Sequence, residues 1–151
     1  MNQLAPLLPV SHILLDVEIG SKKNLFEQVG QLFENELGVV TQVIVDSLIA
    51  REKLGSTGLG QGVAIPHGRL KGLKSATGIL IRLKPGLDFD APDRLPVKLV
   101  FMLFVPMQAT DLHLQILGEI AQFFSNKALR DALLNGADRE TVFDLIQQWQ
   151  P

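Results

Sequence analysis

Apolar positions fall at two spacings along this chain, and the change from one to the other marks out its elements. Ile13-Leu14-Leu15-Asp16-Val17 reads as a first strand. Beyond it the apolar residues recur every three or four positions. Ser21 is placed to cap a helix with Leu25, Val29, Leu32 and Phe33 on one face, stopped by Gly38. Thr41 is placed to cap a second, with Val45, Leu48 and Ile49 inward and Gly55 as its stop. The pattern then breaks into a glycine loop over residues 55–62, followed by a short apolar strand, Val63-Ala64-Ile65, that ends at the turn Pro66-His67-Gly68. Residues 76–83 predict a strand closed by a Lys84-Pro85-Gly86 turn. Residues 97–105 are almost continuously apolar, as expected of a central strand buried on both faces and ended by Pro106. Thr110 is placed to cap a helix that turns Leu112, Ile116, Leu117, Ile120 and Phe124 inward, and two short helices follow near 127–134 and 139–149. Strands and helices are interspersed, so the fold class is α/β (α+β): a mixed β-sheet flanked by helices.

At 151 residues the chain fits a single domain spanning 1–151, with its core over about 10–148. A chain of this size buries roughly 70% of the surface exposed on unfolding, enough for a self-sufficient core. Hydrophobic residues at 46% and charged residues at 20% are globular values. A net charge of -2 offers no electrostatic footprint for nucleic acid. Without cysteine there are neither disulfides nor thiolate metal sites. The start, Met1 to Pro6, lacks the basic and apolar stretches of a signal peptide, and the longest apolar run, 99–106, is too short to span a bilayer. These features lead to the expectation of a cytoplasmic protein with no membrane insertion.

The chemistry concentrates between residues 51 and 68. Four glycines in eight residues invite a nucleotide-loop reading, but no lysine follows them, and the loop runs from helix into strand rather than the reverse. The loop can instead present backbone N–H groups beside the Ser56 and Thr57 hydroxyls as a nest for an anionic oxygen. His67 stands between Pro66, which stiffens the approach, and Gly68, which leaves its flank open. A neutral imidazole can attack phosphorus and later leave it. Arg51, at the end of the helix feeding the loop, can offset the transferred charge. His113 lies in a helix's first turn, a location that lowers imidazole basicity. His12 reads as structural or surface. The three histidines are far apart in sequence and lack a compact ligand pattern, so no metal is expected.

The stretch Arg51-Glu52-Lys53-Leu54-Gly55-Ser56-Thr57-Gly58-Leu59-Gly60-Gln61-Gly62-Val63-Ala64-Ile65-Pro66-His67-Gly68 closely resembles the phosphorylation-site signature of the enzyme IIA proteins. These belong to the fructose/mannitol class of the bacterial phosphoenolpyruvate-dependent sugar phosphotransferase system. Phe89-Asp90-Ala91-Pro92-Asp93, Pro96-Val97, Val105-Pro106 and His113-Leu114 resemble the same family in the same order. The resemblance implies a fructose/mannitol-type IIA fold and an enzyme that transfers phosphoryl groups through a phosphohistidine. It makes His67 the phosphorylated residue, through Nε2, with Arg51 and His113 as supporting residues and Ser56, Thr57 and Gly58 around the phosphate. It implies no cofactor. The implied donor is a histidine phosphocarrier protein charged by an enzyme I.

The Ser-Thr-Gly loop, the Phe-Asp-Ala-x-Asp segment and the absence of a fused IIB domain look more like the nitrogen-regulatory branch, in which phosphorylation state is the signal. Regulatory targets such as transporters or kinases are then the readers. A fructose-type IIA passing phosphate to a separate IIB is the alternative, and a docking module indifferent to phosphorylation is one of another class. Gln61 stands where the family most often has Asn.

Overall fold

The structure, a computed structural model, describes residues 2–109 and 111–151. Two 3-10 turns, Ala5–Leu7 and Val10–His12, lead into β1 (Ile13–Val17), then α1 (Lys22–Leu37) and α2 (Thr41–Lys53). The short strands β2 (Gly58–Gly60), β3 (Val63–Ala64) and β4 (His67–Leu70) follow, then the long β5 (Thr77–Leu87) and β6 (Val97–Pro106). Three helices finish the chain: α3 (Asp111–Ser125), α4 (Lys127–Leu134) and α5 (Arg139–Gln148). The main path of the sheet is β1-β5-β6-β3-β2, and β4 also pairs with β6. β6 is antiparallel to β5 and parallel to β3 and β4, and β1 is parallel to β5, so the sheet is mixed, as the sequence predicts.

β6 is central because its side chains have an apolar layer to enter on either face. Val100, Met102 and Phe104 point into a core shared with α1 and α2. Leu99, Phe101, Leu103 and Val105 point into a second core with α3, α4 and α5. This alternation, buried both ways, is why the segment has no polar face to read. The second core also takes in Leu4, Leu7 and Leu8, so the core begins before residue 10. Asn2 fastens that N-terminal segment by donating to the carbonyls of Ile146 and Trp149, both at 2.8 Å.

Several expected elements are corrected. Ser21 caps α1 and Gly38 ends it in the left-handed region (φ 68°), but Leu32 is 57% exposed. Gly30 explains the shift: a Cβ there would lie 2.9 Å from the Thr41 side chain, so α1 rolls toward α2 and buries Phe26 and Gly30 instead. Thr41 is the first residue of α2 rather than its cap, and its backbone N–H donates to Glu34 of α1 at 2.8 Å. The Lys84-Pro85-Gly86 turn is absent. β5 continues through a cis Lys84–Pro85 peptide with a register shift between Arg82 and Leu87. Leu112 is 46% exposed; α3 first buries a residue at Ile116, and Phe123 joins the inward face. The expected Thr110 cap lies outside the described residues.

Candidate functional site

His67 is not in a turn. It is the first residue of β4, paired with Leu103 of β6. β3 and β4 run one after the other along the same edge of β6, and Pro66 marks the break because it has no N–H to give the ladder. The ladder is carried across by Leu103 N–H donating to Pro66 O at 3.0 Å. At this interruption the Ile65 carbonyl accepts from the ring of its near neighbour, with His67 Nδ1 2.8 Å away.

On the ring's other side, Arg51 Nε donates to His67 Nε2 at 3.2 Å. A carbonyl can only accept and a guanidinium can only donate. Both bonds are satisfied by one tautomer alone, with hydrogen on Nδ1 and a lone pair on Nε2. Burial lowers the His67 pKa below its ordinary 6.5; the Ile65 bond opposes that shift, and the Arg51 charge reinforces it. The ring is thus held neutral near pH 7 with one nitrogen nucleophilic.

Arg51 reaches His67 because α2 lies tight against β4. A Cβ on Gly68 would fall 2.1 Å from Ser47 Oγ and 3.2 Å from Ser47 Cβ, and Ser47 lies one helical turn before Arg51. Gly68 therefore does not leave an open flank, as the sequence led one to expect; α2 fills it. The second guanidinium contact, Arg51 Nη1 to Gly55 O at 2.9 Å, ties the same side chain to the loop after the helix.

His113 approaches from α3, its ring 5.3 Å from that of His67 and nearly perpendicular (80°). Its Nδ1 is buried without a hydrogen-bond partner among the described residues. Burial lowers its pKa first, followed by the charges of His67 and Arg69. Arg69, two residues along β4 and so on the same strand face as His67, is a cation that the sequence reading passed over.

The glycine loop has an internal account. Gly60, Gln61, Gly62 and Val63 form a tight hairpin turn, with φ 59° at Gln61 and 78° at Gly62. Two positive φ values are what such turns need, and asparagine tolerates them better than glutamine. Here Asp93 Oδ2 accepts from Gln61 N–H at 2.7 Å and holds the turn. Gly58 packs against Ala91, whose Cβ would be 2.8 Å from an added methyl. Ser56 Oγ donates to Phe89 O and accepts from Gly58 N–H at 3.0 Å. Thr57 donates its hydroxyl and its N–H to Glu52. Both hydroxyls thus serve contacts within the fold.

The structure brings His67, His113 and Arg51 together and places Ser56, Thr57 and Gly58 on the loop that Arg51 touches. His12 stands apart, buried, with its ring nitrogens at 2.8 Å from Gly78 O and Glu36 Oε1. The sequence reading also missed Glu52, Lys22 and the Ile65 carbonyl. Only Glu52, beside Arg51 at a helix end, left a local trace; the other two depend on long-range packing. Among the described residues no three His, Asp or Glu side chains converge on a metal position, and no helix is long and apolar enough to cross a membrane.

The mixed sheet thus brings His67 of β4 together with Arg51 of α2 and His113 of α3 in a histidine-centred site. The chain belongs to the phosphoenolpyruvate-dependent sugar phosphotransferase system EIIA 2 family, whose model matches residues 6–149. It is 41% identical over 147 residues to the nitrogen regulatory protein of Pseudomonas aeruginosa, covering 97% of this chain and 96% of that one. The crystal structure of the nitrogen regulatory protein IIA-Ntr from Neisseria meningitidis superimposes with a TM-score of 0.91 at 50% identity, over 96% of this chain and 99% of that one. The mannitol enzyme IIA of Escherichia coli, solved in complex with phosphorylated mannitol enzyme IIB, shares the fold at 19% identity with a TM-score of 0.79, over 94% and 98% of the two chains.

Proposed function

We propose that this protein is a phosphoryl carrier of the nitrogen-regulatory kind, charged on His67 by a histidine-phosphorylated carrier protein and read by regulatory partners in either state. The observation that carries the reading is the paired constraint on one ring: Ile65 O takes the Nδ1 hydrogen, and Arg51 marks Nε2 as the lone-pair nitrogen.

In the transfer step, His67 Nε2 forms a bond to phosphorus as the donor's P–N bond breaks. That bonding pair returns to the donor imidazole, which can take up a proton. The His67 ring becomes electron-poor as its new bond forms, and the Nδ1–H bond to Ile65 O strengthens with it. Arg51 gives up its bond to Nε2 and turns to the phosphoryl oxygens. His113, whose Nδ1 has no hydrogen-bond partner among the described residues, supplies a bond to another. Phosphoryl transfer mainly requires positioning and charge compensation, and these groups supply both. Ser56 and Thr57 contribute by shaping the Gly58 loop; a direct bond to phosphate requires either hydroxyl to leave its present acceptor. The protein acts in the cytoplasm, and its readers are regulatory target proteins such as transporters or kinases. A dianion added beside Arg51 changes the charge of the face they meet.

The test is a reconstituted assay with enzyme I, a histidine carrier protein and phosphoenolpyruvate, read by intact mass. One phosphoryl group is expected, lost in acid and stable in alkali, and missing from His67→Ala. His113→Ala should still melt cooperatively but transfer about 10²-fold more slowly. Equal labelling of wild type and His67→Ala would refute the reading. Onward transfer to an isolated IIB protein would move the assignment to sugar uptake.

A further inference from the structure

Lys22 occupies the first position of α1, where the helix dipole disfavours a cation. It must be held there by something stronger. Its Nζ lies 3.0 Å from Glu52 Oε2 and 3.3 Å from Phe89 O, and sits 5.2 Å over the Phe89 ring. The Glu52 side chain is only 8% exposed, and its carboxylate also accepts both the hydroxyl and the N–H of Thr57. Ser56 donates to the same Phe89 carbonyl. The start of α1, the end of α2, the loop at 56–57 and the segment at Phe89 therefore meet around the Lys22–Glu52 ion pair.

Arg51 is the residue before Glu52, and the loop is pinned at two points. Glu52 holds it at Thr57, and Arg51 holds it at Gly55 through a 2.9 Å bond. The position of Gly55 O sets one end of the guanidinium, and with it the direction in which Nε faces His67. Resting on the carrier reading above, we propose that Lys22, Glu52 and Thr57 form a positioning network that aims Arg51 at the reacting nitrogen. None of the three hydrogen-bonds His67, and only the charge of Glu52 is felt there, opposing the fall in its pKa. The network acts through the loop, and it assigns Thr57 a task other than binding phosphate.

The experiment compares Lys22→Met, Thr57→Val and Thr57→Ser with wild type in single-turnover transfer from the phosphorylated carrier, each also in an Arg51→Gln background. Lys22 is a quarter exposed at a helix start, whereas Thr57→Val keeps the volume but removes the hydroxyl that Glu52 accepts, so thermal melting checks that each variant is folded before its rate is compared. The network predicts about a ten-fold fall in the transfer rate for Lys22→Met and Thr57→Val, at an unchanged half-saturating donor concentration. It predicts recovery in Thr57→Ser and no further loss once Arg51 is gone.

Wild-type transfer by Lys22→Met overturns the proposal, and so do losses that add to that of Arg51→Gln. A loss confined to Thr57→Val also overturns it, since that outcome makes Thr57 a phosphate contact. A second readout is hydrogen exchange at Arg51 Nε–H, slow while it is bonded to His67 and faster in Lys22→Met if the aim is lost. Should wild type take no phosphoryl group, the carrier reading falls, while this exchange measurement still decides the network.

Discussion

The site's chemistry is set by which atom of a single ring carries hydrogen. Ile65 O and Arg51 Nε leave His67 one tautomer, and burial holds its pKa below 6.5. Acceptance of a phosphoryl group needs the unprotonated Nε2, so transfer should stay level as pH falls through 6.5 and decline only through the lower folded pKa. NMR titration of the His67 ring beside the pH–rate profile checks this; a midpoint at or above 6.5 contradicts it. Stability carries the same sign. Below 6.5 the unfolded chain binds the proton first, so this ring's contribution weakens as pH falls from there to the folded pKa. The melting temperature of His67→Gln should accordingly depend less on pH in that window. His113, lowered chiefly by burial, adds a parallel slope that remains in the variant.

At the scale of elements, the contact of α2 with β4 decides whether arginine and histidine meet. Gly68→Ala places a methyl against Ser47, whose hydroxyl can rotate away but whose Cβ, at 3.2 Å, cannot. The helix must lift by a few tenths of an ångström. We expect a loss of about 1–3 kcal/mol, read by denaturant unfolding, together with slower phosphoryl transfer. Transfer at the wild-type rate would show that Arg51 tolerates the displacement. The small residue after His67 is visible in the sequence, but its reason is not, because nothing local says that Ser47, twenty-one positions earlier, lies against it. The glycines at 58, 60 and 62 behave likewise. Their clustering invites an anion nest, whereas the hairpin geometry and the Ala91 contact account for them once the chain is folded.

For the whole molecule, two cores on opposite faces of one sheet must be kept in register, and Arg82 joins the parts around the second. It is 7% exposed, forks onto Asp16 of β1 at 3.0 and 3.1 Å, and donates to the carbonyls of Leu133 and Ala137 at 2.9 Å. Arg82→Met should cost about 2–4 kcal/mol, since it leaves carbonyls at the end of α4 without their donor. The phosphoryl adduct should still form at wild-type extent, because Arg82 takes no part in the histidine site. A melting temperature equal to wild type would mean that the carbonyls find other donors. An isolated arginine within an apolar strand pattern gives no hint of this task; three of its partner groups come from segments more than fifty residues away.

The sequence by itself indicated the five helices, the central place of residues 97–105 and the candidates His67, His113 and Arg51, but it read the strands Gly58–Gly60 and His67–Leu70 as loop and turn. Apolar periodicity, helix-ending glycine and a long motif are local properties, written into neighbouring residues. Only the tertiary structure decided that Ile65 O and Arg51 Nε hold the His67 ring in one tautomer, that Gly68 makes room for α2, and that Thr57 is bonded to a carboxylate tied to Lys22. These features depend on hydrogen bonds and close approaches between segments distant along the chain. A bond's direction is settled only when donor and acceptor stand face to face in the packed molecule.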